Sequence, residues 1–121
     1  MSERKSNKLR LDLVSLPATL ALAKVMTDCG KPKEQGGKGY EPWDWTHKAT
    51  QHELLTASKR HIAKYEAGQT FDKETGHNHL AMAFFGLMAS LHMDLTGIGD
   101  CSRNPQNAMS DQDINNVFGE G

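Results

Sequence analysis

The chain has 121 residues, with 14 basic against 15 acidic side chains, a net charge of −1 and a pI of about 6.6. That length makes one domain of ordinary size, able to bury a core without staples. The near-cancellation of charge argues against a general duplex-DNA binder, which carries a basic surplus, but it is compatible with a small anionic ligand held by a few local bases.

Six His residues make the charge sensitive to pH near neutrality. Cys29 and Cys101 lie far apart, with no CxxC pair, and fit reduced thiols in a cytosolic protein. The polar start, Met1 to Lys8, lacks the apolar segment of a signal peptide. No uninterrupted apolar run reaches the roughly 18 residues of a membrane span. The expected compartment is the cytoplasm, or that of an infected host.

Residues 1–8 are charged and expected to fray. Leu9-Arg10-Leu11-Asp12-Leu13-Val14 alternates like a strand but has no second strand to pair with, so an extended arm lying on helices is expected. A first helix follows from Ser15 to about Cys29, with Ser15 as cap, Pro17 in the first turn and Gly30 as a left-handed stop. Ala18, Leu22, Val25, Met26 and Cys29 form its apolar stripe.

Lys31 to Trp45 reads as loop, because Pro32, Gly36, Gly37, Gly39 and Pro42 interrupt regular structure. It carries Tyr40, Trp43 and Trp45, which anchor such a loop, and its length makes it a candidate functional loop. A second helix is expected from about Ala49 to Ala67, with Leu54, Ser58, His61, Ile62 and Tyr65 on one face and Arg60 near its edge. After a loop from Gly68 to His77, a third helix runs from about Asn78 to Thr96 and stops at Gly97. One of its faces is bulky (Leu80, Phe84, Leu87, Leu91). The adjoining face is small (Ala83, Gly86, Ser90) and lets another helix come close. A helix apolar nearly all round is either central to the fold or shared with a second subunit. From Gly99 the composition turns polar. Ser110 to Phe118 reads as a short capped helix docking Ile114, Val117 and Phe118, or as a mobile tail. The expectation is an all-α domain over residues 1–97 (core 8–96), with 98–121 as tail.

Ionisable chemistry gathers at the second helix–loop–third helix junction. Arg60 can fork onto a phosphate and His61 can donate a hydrogen bond or ligate a metal. Alternatively His61 is a satisfied core histidine and Arg60 pairs with Glu53 or Asp72. Asp72, Glu74 and His79 offer donors to a divalent cation, Mg²⁺ or Mn²⁺; the two carboxylates equally suit capping of the helix that follows. Lys38, Tyr40, Trp43 and Trp45 join a base to aromatics, which suits stacking on a nucleobase beside a phosphate, or a loop pinned to the core. Arg10, with Lys8 and Asp12, can close over a ligand or form a solvated charged face. His92 and Asp94 make a weak His–Asp pairing. A Walker loop, a serine nucleophile elbow and a catalytic Cys–His signature are not visible.

Taken in order, several of these pieces form a pattern. Lys8-Leu-Arg10-Leu-Asp12-Leu precedes Pro17 and an Ala/Leu-rich helix, and a Gly-Lys-Gly-Tyr40 and Trp45 segment follows. Then come Leu54-Leu55-x-Ala57-x-x-Arg60-His61 and Gly68-x-x-x-Asp72-x-Glu74-x-Gly76-x-x-His79-Leu80-Ala81-x-Ala83. Over about residues 8 to 96 this resembles the bacteriophage family labelled dATP/dGTP diphosphohydrolase, N-terminal domain. The loop before Trp45 is longer than in that pattern, and the paired ExxE and ExxD motifs of MazG-like pyrophosphohydrolases are absent. The resemblance implies a phage-encoded, all-α, nucleotide-related protein.

Two functions are expected on this basis. In the first, the chain acts on purine deoxynucleoside triphosphates. Arg60, Lys38 and Arg10 hold phosphates, Tyr40 and Trp45 hold the base, and Asp72, Glu74 and His79 hold a divalent metal. Asp72, Glu74 and His61 then assist hydrolysis. In the second, it performs no chemistry and sequesters a nucleotide signal or blocks a host protein. A homo-oligomer through the third helix is a further expectation.

Overall fold

The computed structural model describes residues 7–121. Five α-helices occur among them: α1 Leu16–Cys29, α2 Trp45–Lys48, α3 Gln51–Glu66, α4 His79–Thr96 and α5 Asp111–Phe118. The only β pairing among the described residues is an isolated bridge between Phe71 and Asn78. The all-α expectation holds, with α1, α3 and α4 as the three main helices.

The frame is an antiparallel hairpin of α3 and α4, built from the small stripe of α4. Gln51 Nε2 donates to the Ser90 carbonyl, Ser58 Oγ donates to the Ala83 carbonyl, and His61 meets His79, so position falls along α4 as it rises along α3. A Cβ added at Gly86 would stand 2.0 Å from Ser58 Oγ and 2.8 Å from the Leu54 carbonyl oxygen, so the two backbones approach only because residue 86 has no side chain. Leu54, Ala89 and Met93 form the centre of the core, flanked by Trp45, Ala49, Phe85 and Cys101. α1 and α2 both pack on α4.

Local chemistry sets the helix ends. Thr50 and Glu53 close a reciprocal capping box on α3, and Asn78 caps α4 through the Leu80 N–H. Gly97 ends α4 in the left-handed region, as expected from its place after Thr96. Gly30 does not do so for α1. Its backbone stays right-handed while its N–H bonds the Thr27 carbonyl, so a tight turn replaces the left-handed stop.

Three expectations are corrected. Leu11–Leu13 forms one 3₁₀ turn, and the aliphatic side chains around it are exposed rather than laid on helices. Ala18 is exposed, so the buried stripe of α1 begins at Leu22. α5 forms with Ser110 as cap, yet it packs on no other element, and Ile114, Val117 and Phe118 stay exposed. The body itself continues past α4. Gln51 N–H donates to the Asp100 carbonyl, and Cys101 packs on the core. No helix among the described residues is long and apolar enough to cross a membrane.

Candidate functional site

The structure divides the candidate residues into two constellations. The first is an open groove of about 780 Å³ between the C-terminal end of α1, the loop that follows it, and α4. Tyr40, Trp43, Trp45 and Phe85 supply its aromatic lining, and Met26 and Cys29 close one wall. Trp45 is half-buried and meets Phe85 edge-on at 6.2 Å, which fixes it to the core. Trp43 is 59% exposed and stands 5.4 Å from Trp45. His92 lies 5.5 Å from Trp43 and 5.3 Å from Trp45, ring to ring.

Trp43 has a φ of 69°, the only positive φ at a non-glycine position among the described residues. A bulky residue there costs on the order of 1–3 kcal/mol and persists only when its surroundings impose it. The surroundings are visible. Asp44, buried, accepts from the Glu41 N–H and pairs with Lys48 at 3.1 Å, while Thr46 Oγ1 donates to the Trp43 carbonyl. The Glu41 N–H holds the Asp44 carboxyl below its ordinary pKa, so the clamp is ionised at neutral pH. Strain is therefore spent to hold an indole out into the groove.

Three lysines lie near groove residues, and one of them belongs to the lining. Lys31 lines the groove and pairs with Asp28 at 3.0 Å. Lys48 Nζ lies 5.8 Å from the Tyr40 ring centroid. The Lys38 backbone bonds the Cys29 carbonyl, and its ammonium makes no ion pair among the described residues. Burial pushes the Cys29 thiol up, against a smaller opposing pull from Lys38, so the thiol is protonated at neutral pH.

The second constellation is the α3–α4 junction. His79 is wholly buried. Its Nε2 stands 2.6 Å from Gln69 Oε1, and its Nδ1 stands 2.9 Å from His61 Nδ1. The Gln69 oxygen can only accept, so His79 Nε2 donates to it. A neutral His79 then accepts at Nδ1 the proton of His61 Nδ1, and His61 keeps a bare Nε2. Burial first, and His79 second, hold the His61 pKa below its ordinary value of 6.5. Its environment therefore favours the neutral, basic form.

Asp72 serves the loop. It accepts from the Thr75 N–H at 2.9 Å and the Thr75 hydroxyl at 2.8 Å, and these bonds lower its pKa. Glu74 is exposed at a shallow polar hollow with Lys64, Gln69, Asp72 and Lys73. The helix behind this loop is capped by Asn78, not by either carboxylate. Arg60 is exposed and pairs with neither Glu53 nor Asp72; Glu53 is engaged in the capping box. Arg10 belongs to neither constellation, since its guanidinium forks onto Asp12 in its own turn at 2.8 and 2.7 Å.

The expected metal set does not fit this arrangement. Both His79 nitrogens are engaged and sealed from solvent, and Asp72 is turned onto Thr75. Among the described residues no three His, Cys, Asp or Glu side chains form a ligand group. His77 reaches the other way, with Nε2 at 3.2 Å from Asp28 Oδ2. That contact ties the junction to the α1 end that lines the groove. Two contributors to this picture, Gln69 and the His77–Asp28 contact, were not expected from sequence as members of a site, and His92, expected beside Asp94, meets Trp43 and Trp45. Only tertiary pairing brings them there, and their spacing along the chain gives no signal.

The family model for dATP/dGTP diphosphohydrolase, N-terminal, matches residues 1–102. The chain belongs to that family. The match spans both constellations and ends just past Cys101, where the packed body ends. Membership ties the chain to nucleotide chemistry. Comparisons with curated proteins and with solved structures give no match.

Proposed function

We propose that the chain binds a purine deoxynucleoside triphosphate in the aromatic groove. The carrying observation is Trp43, a bulky residue held at positive φ and half presented to an open groove with three other aromatic rings. In this reading the base stacks on Trp43 and Tyr40, with Trp45 as the fixed floor. Lys38, free of ion pairs among the described residues, and Lys31 at the groove wall meet the phosphates. Purine rings offer more stacking surface than pyrimidines, which agrees with the family's description.

A divalent cation enters with the triphosphate, as its Mg²⁺ or Mn²⁺ complex, and no step is assigned to a metal on Asp72, Glu74 and His79. His61 Nε2 and the exposed Arg60 belong to the junction, apart from the groove lining, and are assigned no step on a nucleotide bound in the groove. Hydrolysis would use water to release pyrophosphate and leave a monophosphate, with one proton passing to a base.

The test is thermal melting with each deoxynucleoside triphosphate, with and without Mg²⁺, followed by recovery of the ligand. The expected result is a rise in Tm with dATP or dGTP that Trp43→Ala and Lys38→Ala reduce. Recovered monophosphate and pyrophosphate make the chain an enzyme; intact ligand makes it a sequestering module. No shift with any nucleotide overturns the proposal and directs attention to a protein partner.

A further inference from the structure

Two charged side chains line the aromatic groove, Lys31 and Glu41. Lys31 already has a partner in Asp28, at 3.0 Å. The Glu41 side chain takes part in no hydrogen bond and no ion pair among the described residues. Ligand grooves of this apolar, aromatic kind use a few placed polar groups to fix orientation and specificity, and the Glu41 carboxylate is in position for that role.

Its backbone is firmly held. The Glu41 N–H donates to Asp44 Oδ2 at 2.8 Å, and the Glu41 carbonyl accepts from the Asp44 N–H at 3.1 Å. Pro42 fixes one further torsion of the turn. Trp43 leaves the same turn at a φ of 69°. A carboxylate and a stacking surface therefore start two residues apart from one locked turn, and both line the groove. Such preorganisation lowers the cost of ordering the site when a ligand arrives.

We infer that Glu41 reads the edge of the stacked base and selects guanine. An ionised carboxylate only accepts hydrogen bonds, through two oxygens side by side. Guanine alone among the four bases carries two adjacent donors, its N1–H and its N2 amine, so both oxygens are met at once. Adenine offers its N6 amine to one oxygen and turns the N1 lone pair against the other. Cytosine repeats that pattern with N4 and N3, and thymine has a single N3–H between two carbonyls. The selection thus has an attractive and a repulsive part, which is how a site separates ligands of similar shape. The inference rests on the groove reading above and sharpens it, since the family's description names both purines and this lining favours one.

The test is titration of the tryptophan fluorescence with dGTP, deoxyinosine triphosphate and dATP, each with Mg²⁺, in wild type and in Glu41→Gln. Deoxyinosine triphosphate keeps the N1–H and lacks the N2 amine. In wild type, affinity is expected to fall in that order, with about tenfold or more between dGTP and dATP. Glutamine keeps the size of the side chain and leaves the backbone bonds of the turn intact, and its amide suits adenine through one donor and one acceptor. Glu41→Gln is therefore expected to weaken dGTP, to leave or tighten dATP, and to bring their ratio to one or below. A carboxylate that held only the Mg²⁺ of the triphosphate would make the variant weaken all three nucleotides equally, and that result overturns the inference. A wild-type ratio near one, or a ratio that the variant leaves unchanged, overturns it as well. In each of these cases quenching persists and the groove stands as the nucleotide site. Absence of quenching by every nucleotide overturns the groove reading itself, and the inference with it.

Discussion

At the scale of single residues, two groups are held in states that the free chain would not choose. His61 is one. Burial and the neighbouring His79 depress its pKa, so the unfolded chain binds a proton that the fold refuses. Stability from this pair is present above pH 6.5 and is lost as the pH falls through that value toward the lower folded pKa. Asp28 and Asp72 are also depressed, Asp28 mainly by Lys31 and Asp72 by Thr75, but they lose their contribution only below about 3.8. Melting temperature should therefore fall on mild acidification, and His61→Gln should flatten that part of the profile; an unchanged slope in the variant would show that the depression arises elsewhere. Trp43 is the other group. Glycine at position 43 relieves the backbone strain that alanine retains, so Trp43→Gly should be more stable than Trp43→Ala by about 1 kcal/mol. Equal denaturation midpoints for the two variants would contradict the strain. Residue types in sequence marked both regions, but not their states. Nothing in His77-Asn78-His79 tells which imidazole is sealed, because Gln69 and His61 reach it only after the Phe71–Asn78 bridge closes the loop.

At the scale of elements, local rules located the main helices well. Ser15, Thr50 with Glu53, Asn78 and Gly97 each act where their chemistry suits a helix end. The small stripe on α4 was equally legible, because close helix approach needs missing side chains at that spacing. Gly86→Ala tests it. The added methyl meets the backbone of Leu54 and the hydrogen-bonded Ser58 hydroxyl, neither of which yields freely. Despite the higher helix propensity of alanine, a net loss of about 1–3 kcal/mol is expected in chemical denaturation. A neutral or stabilising effect would mean that α3 and α4 sit further apart than described. Less legible were α2, whose four residues are held by tertiary contact to α4, and the arm before α1, whose alternation suggested an extended segment but which includes a 3₁₀ turn at Leu11–Leu13. Short segments of this kind are decided by their neighbours, not by their own periodicity.

At the scale of the whole molecule, one polar site expected at the junction becomes two regions joined by His77 and Asp28. The aromatic loop and the α1 end form the groove, and the helical hairpin presents the imidazole pair elsewhere. Tyr40 and Trp45 line the groove and Lys38 lies beside its Cys29 wall, whereas His61, Asp72 and His79 group at the junction. Sequence order already separates the two sets, residues 38–45 from residues 61–79; what it could not show is the His77–Asp28 contact that joins them. Both tryptophans of the chain line the groove, so its intrinsic tryptophan fluorescence reports on that groove alone. The most direct measurement is that fluorescence during titration with dGTP, in wild type and in Lys38→Ala. Saturable quenching is expected in wild type, weakened in the variant, because the purine stacks on Trp43 while its phosphates meet Lys38. Unquenched fluorescence at nucleotide concentrations that raise the melting temperature would place the ligand elsewhere and contradict the groove as the nucleotide site.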